Sequence, residues 1–160
     1  MTVDHPPILE TRQIDWPDEA ACAVWARALA LRPGLGQAFI ALHGPLGAGK
    51  TTLVRHLLGA LGVAGRIKSP TYTLMEPYTL ADGGAAAHFD FYRFQDPREW
   101  LDAGLREVFA HPGLKLAEWP EQAAGLLPLP DLALWLRVDG DAQRQLTAQA
   151  LTPLGRALLA

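Results

Sequence analysis

The sequence predicts an α/β domain with a largely covered sheet, and three observations carry that prediction. Short apolar runs such as "AFIALHG" (38–44) and "LKLAEW" (114–119) have the length of buried strands. Longer stretches with apolar residues at helical spacing (17–31, 51–62 and 98–110) stand among the strand-like runs. Glycine, proline and aspartate collect at the joints between them. At 160 residues, 49% apolar and 19% charged, the chain has the length and balance of one compact domain over 1–160.

In chain order, "ILETRQI" (8–14) alternates as a strand does. "PDEAACAVWARALAL" (17–31) carries acids in its first turn and Pro33-Gly34 beyond its end, the signals of a helix start and stop. The run 38–44 leads into a glycine-rich loop and then into the helical "TTLVRHLLGALG" (51–62), which stops at Gly62. "TYTLMEPYTL" (71–80) and "AAAHFDFYRF" (85–94) read as strands joined by the turn Asp82-Gly83-Gly84. His88, Asp90 and Tyr92 would then share one strand face by the period of two. "REWLDAGLREVFA" (98–110) reads as one helix, and 114–119 as a strand ending in an acid. "DLALWLRV" and "AQRQLTAQA" flank Asp139-Gly140, a two-residue hairpin signal, and the last ten residues suit a short helix.

Composition narrows the range of function. No run of eighteen apolar residues occurs, so no membrane span is expected. "MTVDHPPILE" has an acid and two prolines where a signal peptide carries basic and then apolar residues, which points to the cytoplasm. Cys22 is the only cysteine, which rules out an internal disulfide and a cysteine-based metal site. The net charge is −3, and the densest basic cluster is only Arg66 and Lys68. Work on RNA or DNA would need a partner that does the gripping, because phosphate neutralisation supplies most non-specific affinity.

The stretch "LHGPLGAGKTTLVRHLL" (42–58) fits G-x-x-x-x-G-K-[ST] from Gly44 through Gly49, Lys50 and Thr51. A chance match in a chain this long has odds on the order of one in a hundred or less. The context also fits, with a buried strand leading in and a helix leading out. Glycines let backbone N–H groups turn around phosphate oxygens with no Cβ in the way, and the helix start adds its positive dipole end. Lys50 would reach the outer phosphates, and the Thr51 hydroxyl would ligate Mg²⁺.

Such a loop needs a second acid at the end of a neighbouring strand. Asp90 ends "AAAHFD" and Glu118 ends "LKLAE", and both are candidates. In "KSPTYTL" (68–74), Ser-Pro-Thr puts a hydroxyl on a stiff, extended segment where it could meet Mg²⁺ or the outer phosphate; an ordinary strand start is the other reading. His43 reads as a packed or solvent-edge histidine. The chain has no asparagine and no Thr-Lys-x-Asp, so the guanine-selecting box is missing and ATP is the better candidate.

With the glycine loop, "SPTYTLMEPY", "HFDFYR" and "LAEWPEQ" in that order, residues from about 17 to 138 resemble the TsaE (YjeE) family. Its members are small bacterial P-loop ATPases needed to make threonylcarbamoyladenosine on tRNA. The resemblance implies a P-loop NTPase-like three-layer domain with a mixed, mostly parallel central sheet flanked by helices. It implies ATP and Mg²⁺ as cofactors. It also implies action as the ATPase partner of the TsaB–TsaD pair, so that tRNA is met only indirectly.

Carried over by position, Lys50, Thr52 and the loop residues Gly44, Leu46, Gly47, Ala48 and Gly49 would hold the phosphates. Thr51 would take the Mg²⁺, with Asp90 serving hydrolysis and Glu118 as the second magnesium-side acid. Thr71 would be the catalytic hydroxyl of the 68–74 segment, and Trp119 would lie close to the nucleotide. Asp18 and Cys22 match the family's adenine-side helix start. The sequence departs from the family's pattern at Cys22, where a threonine is common, and at Pro45, which replaces a frequent Asp or Asn.

The reading is a Mg²⁺-dependent ATPase, slow alone and stimulated by partners. Two alternatives stay beside it. A small-molecule kinase would need an acceptor pocket and a mobile lid with several arginines; 93–106 holds Arg93, Arg98 and Arg106 but no clear lid. A nucleotide-gated binding module would show negligible hydrolysis.

Overall fold

A computed structural model describes residues 6–68, 70 and 73–160. Among them seven strands form one sheet: β1 (Glu10–Trp16), β2 (Phe39–His43), β3 (Met75–Thr79), β4 (Ala85–Asp90), β5 (Leu114–Glu118), β6 (Leu132–Val138) and β7 (Arg144–Ala150). Their spatial order is β1-β7-β6-β2-β5-β4-β3. The centre is parallel, through the pairs β6–β2, β2–β5 and β5–β4. The pairs β1–β7, β7–β6 and β4–β3 are antiparallel. Hence β1, β6, β2, β5 and β4 all point one way, and the expected mixed, mostly parallel sheet is present.

Helices α1 (Glu19–Ala30), α2 (Lys50–Ala60) and α5 (Pro153–Leu158) lie on one side of this sheet, and α3 (Pro97–Asp102) and α4 (Leu105–Ala110) on the other. Alternation along the strands separates the two cores. Ile40 and Leu42 of β2, with Leu114 and Leu116 of β5, meet Leu29 of α1 and Leu53, Val54 and Leu57 of α2. Phe39 and Ala117 face the other way, into an aromatic cluster with Phe89, Phe91, Trp100 and Phe109. Both faces of the central strands are therefore apolar, which is why these segments read as unbroken runs. Among the described residues no helix is long and apolar enough to cross a membrane.

Several local expectations need correction. The helix expected over 98–110 is two helices, because Gly104 takes φ 66° and starts α4 in a left-handed conformation. Strand β4 stops at Asp90, so Tyr92 is not on the strand face of His88 and Asp90; its N–H turns back to the Asp90 carboxylate at 2.9 Å. The hairpin does not turn in two residues. Val138 pairs with Arg144, leaving residues 139–143 as a five-residue loop with Gly140 at φ 100°. Strand β1 is shifted towards Trp16 relative to 8–14, and β3 begins only at Met75. The first helix spans 19–30, capped by the Asp18 side chain on the Ala21 N–H at 2.9 Å.

The parallel centre also sets the site. It brings the carboxyl ends of β2, β4 and β5 side by side, with Glu118 in register with both Leu42 and Asp90. Ligands of open α/β sheets bind at that end of the strands.

Candidate nucleotide site

The loop between β2 and α2 opens with Gly44 at φ 146°, where a Cβ would come within 2.7 Å of the Leu136 carbonyl oxygen. Gly49, at φ 103°, begins α2 with no capping side chain. The first-turn N–H groups of α2 are left available to a ligand, at the positive end of the helix. Lys50 is buried and folds back on its own loop. Its ammonium donates to the carbonyls of Gly44 and of Pro45, the latter at 3.1 Å, and lies 4.1 Å from the centre of the Trp119 ring. Burial pulls its pKa down, against the raising effects of Glu118, Glu121 and Asp90.

Opposite the loop, Thr51 donates its hydroxyl to the Glu118 carboxylate, with both oxygens 2.9 Å away. The second side of that carboxylate meets the buried His88, Nε2 to Oε2 at 2.6 Å. Asp90, also buried, ends the neighbouring strand. The backbone then changes hand at Trp119, φ 55°, an uncommon conformation that costs a large side chain free energy and clusters at functional sites. Tyr92 packs against Trp119 with ring centres 5.0 Å apart. His43, half-buried, stacks on Trp135 at 3.8 Å and pairs with Glu121 at 3.2 Å, which is the packed role expected of it.

These residues line two adjoining cavities. The larger, about 470 Å³, is lined by Leu46, Gly47, Ala48, Gly49, Lys50, Thr51, Thr52, Asp90, Glu118 and Trp119 together with Tyr92, Arg93 and Arg144. The smaller, about 250 Å³, is lined by Asp18 and Cys22 with Trp16, Glu19, Asp141 and Ala142, and shares Ala48, Gly49, Thr52 and Arg144 with the first. Burial, and then the nearby Glu19, push the Cys22 thiol up to about 11. Of the residues singled out in the sequence, Gly44 lines neither cavity and acts through its turn and its carbonyl. Thr71 lies outside the described residues.

Arg144 escaped the sequence reading. Its Nε donates to the Ala48 carbonyl at 3.0 Å and its Nη2 to that of Gly47 at 3.2 Å. Its Nη1 holds the hairpin loop through the carbonyls of Asp141 at 3.1 Å and Gln143 at 2.9 Å. The acceptors are all backbone, so no residue pattern announces the contact. The one signal is an arginine directly after the hairpin turn.

A divalent cation fits beside Thr51 only with help from the ligand. Among the described residues no group of three His, Cys, Asp or Glu side chains is placed to hold a metal ion. A hydroxyl and a carboxylate side by side, completed by phosphate oxygens and water, is the incomplete set that suits Mg²⁺ with a nucleotide.

A glycine loop between a buried parallel strand and a helix, faced by acids at the ends of neighbouring strands, defines the class of P-loop nucleotide-binding proteins. Comparison narrows this. The sequence model of "Threonylcarbamoyl adenosine biosynthesis protein TsaE" matches residues 16–146, and the chain belongs to that family. It is 43% identical over 118 residues to the tRNA threonylcarbamoyladenosine biosynthesis protein TsaE of Haemophilus influenzae, covering 74% of this chain and 73% of that one. The Bacillus subtilis protein of the same name is 33% identical over 145 residues, with coverage of 88% and 87%. In three dimensions the chain superposes on the crystal structure of Bacillus subtilis YdiB with a TM-score of 0.73 at 26% identity, covering 94% and 93% of the two chains.

Proposed function

We propose that this chain is the ATP-binding and ATP-hydrolysing subunit of the system that makes threonylcarbamoyladenosine beside the anticodon of tRNA, working as one domain over 1–160 with the TsaB–TsaD pair. The observation that carries this reading is the Thr51–Glu118 contact at the head of the P-loop helix, in one cavity with Lys50 and Asp90. Membership of the TsaE family and the names of the relatives support the tRNA-modifying role.

The chain's own residues divide the work. The amides of residues 46–49 and Thr52 bind the phosphates, and Lys50 leaves its loop carbonyls and Trp119 to meet the outermost one. Thr51, Glu118 and Asp90 form the magnesium side. When bound there, Mg²⁺ neutralises charge developing on the phosphate oxygens. Asp90 orients the attacking water, whose oxygen bonds to the terminal phosphorus as the bridging P–O bond breaks; ADP leaves, and the water's protons depart with the phosphate product. Asp18 and Cys22 border the base-side cavity, and the missing Asn/Thr-Lys-x-Asp box favours adenine. With a net charge of −3, tRNA is held by the partner subunits. The segment carrying Thr71 is where they complete the catalyst.

Steady-state ATPase measured with and without the pair tests this. Turnover should be slow alone and rise with the pair, while Asp90→Ala and Glu118→Ala melt near wild type and lose turnover. Tight, salt-sensitive tRNA binding by the isolated chain, with no response to the pair, contradicts the arrangement.

A further inference from the structure

We infer that His88 is a positioning residue for the metal side of the site: it fixes the Glu118 carboxylate in the orientation that Thr51 and a divalent cation need. The inference rests on the reading of Glu118 as a magnesium-side acid.

His88 is 0% exposed, and packing does not explain it. Its Nδ1 is buried with no partner among the described residues. An apolar side chain would fill the place without leaving a polar atom unpaired, a recognised cost in a protein interior. What the ring gains is one bond. Nε2 lies 2.6 Å from Oε2 of Glu118, and since an ionised carboxylate only accepts, Nε2–H is the donor.

The geometry makes that bond directional. β4 and β5 are parallel neighbours in which His88 pairs with Leu116, so the imidazole reaches diagonally to Glu118 at the strand end. The ring is fully buried, and close packing leaves it little room to follow the carboxylate if it turns. Thr51 approaches the same carboxylate from α2, 2.9 Å from each oxygen. A hydroxyl that donates to Glu118 keeps its oxygen lone pairs for a cation. With His88 on Oε2 and Thr51 against both oxygens, turning the Glu118 carboxylate away from Thr51 would break the His88 bond as well. Groups that orient metal-side ligands in this way commonly change metal affinity 10–100-fold when removed.

The test is the binding of a fluorescent ATP analogue, measured in EDTA and again in saturating Mg²⁺, beside Mn²⁺ titrations followed by electron paramagnetic resonance. His88→Gln places an amide N–H₂ near the position of Nε2, whereas His88→Asn is one methylene too short and His88→Leu has no donor. All variants should bind the analogue in EDTA as wild type does. Wild type and His88→Gln should share the gain in affinity on adding Mg²⁺, and His88→Asn and His88→Leu should lose about tenfold or more of it. An equal Mg²⁺ gain in wild type, Asn and Leu overturns the inference. Loss of folding in all three variants assigns His88 to the core and overturns it as well. A wild type with no Mg²⁺ gain at all would instead remove the magnesium reading on which it rests.

Discussion

The ammonium of Lys50 lies 4.1 Å from the centre of the Trp119 ring, so the cation of the glycine loop rests on the residue that follows the Glu118 acid. Such cation–π contacts are worth about 0.5–2 kcal/mol, depending on desolvation. That is small enough for a phosphate to displace, since a charge-assisted hydrogen bond is worth roughly 1.5–3 kcal/mol. Binding of ATP–Mg²⁺ should pull Lys50 off the ring and change Trp119 fluorescence. Titration of wild type beside Trp119→Phe checks this, because Trp16, Trp25, Trp100 and Trp135 contribute background. If the full change persists in the variant, Trp16 on the smaller cavity is its source.

Arg144 clamps the glycine loop to the hairpin between β6 and β7, with donors to Gly47 and Ala48 on one side and Asp141 and Gln143 on the other. Arg144→Ala should loosen the walls of both cavities and weaken ATP binding about tenfold, the loss of one or two charge-assisted bonds. Arg144→Lys should not restore it, because a single ammonium cannot span that fork of carbonyls. Calorimetric affinities for both variants decide the matter; wild-type affinity in Arg144→Ala rules the clamp out.

Burial, and then Glu19, push the Cys22 thiol up to about 11, and Cys22 borders the smaller of the two cavities. A raised pKa means that the reactive thiolate is scarce until the pH is high. At pH 8 its fraction is about one in a thousand, against roughly one in ten for a thiol titrating at 9. Alkylation by iodoacetamide should therefore be slow at pH 8, accelerate up to about pH 11, and slow further with ATP bound. Reaction at the rate of a free thiol contradicts this burial.

The parts of the fold legible in the sequence are those fixed by local chemistry. β2 and β5 read as unbroken apolar runs because helices cover both their faces. The glycine loop announces itself, and so do acids at strand ends, since a charged residue closing an apolar run has few other places to be. Relationships set by strand order were not legible. His88 and Glu118 are thirty residues apart and meet only because β4 and β5 are neighbours. Helical periodicity over 98–110 continues through Gly104, so the pattern could not show the break that its left-handed backbone makes. Asp139-Gly140 signals a turn, but the register of Val138 with Arg144 sets its length. Arg144 binds backbone carbonyls, which carry no residue signature.

The most direct measurement is calorimetric ATP–Mg²⁺ affinity of wild type against Lys50→Ala. Lys50 is the cation at the head of α2, in the cavity shared with Thr51, Asp90 and Glu118. If that cavity holds a nucleotide's phosphates, removing this charge should lower the affinity at least tenfold, in line with a loss of roughly 1.5–3 kcal/mol. The fold should survive, because among the described residues the Lys50 side chain bonds to carbonyls of its own loop and rests on Trp119. Unchanged affinity in a folded Lys50→Ala protein would contradict the nucleotide site itself.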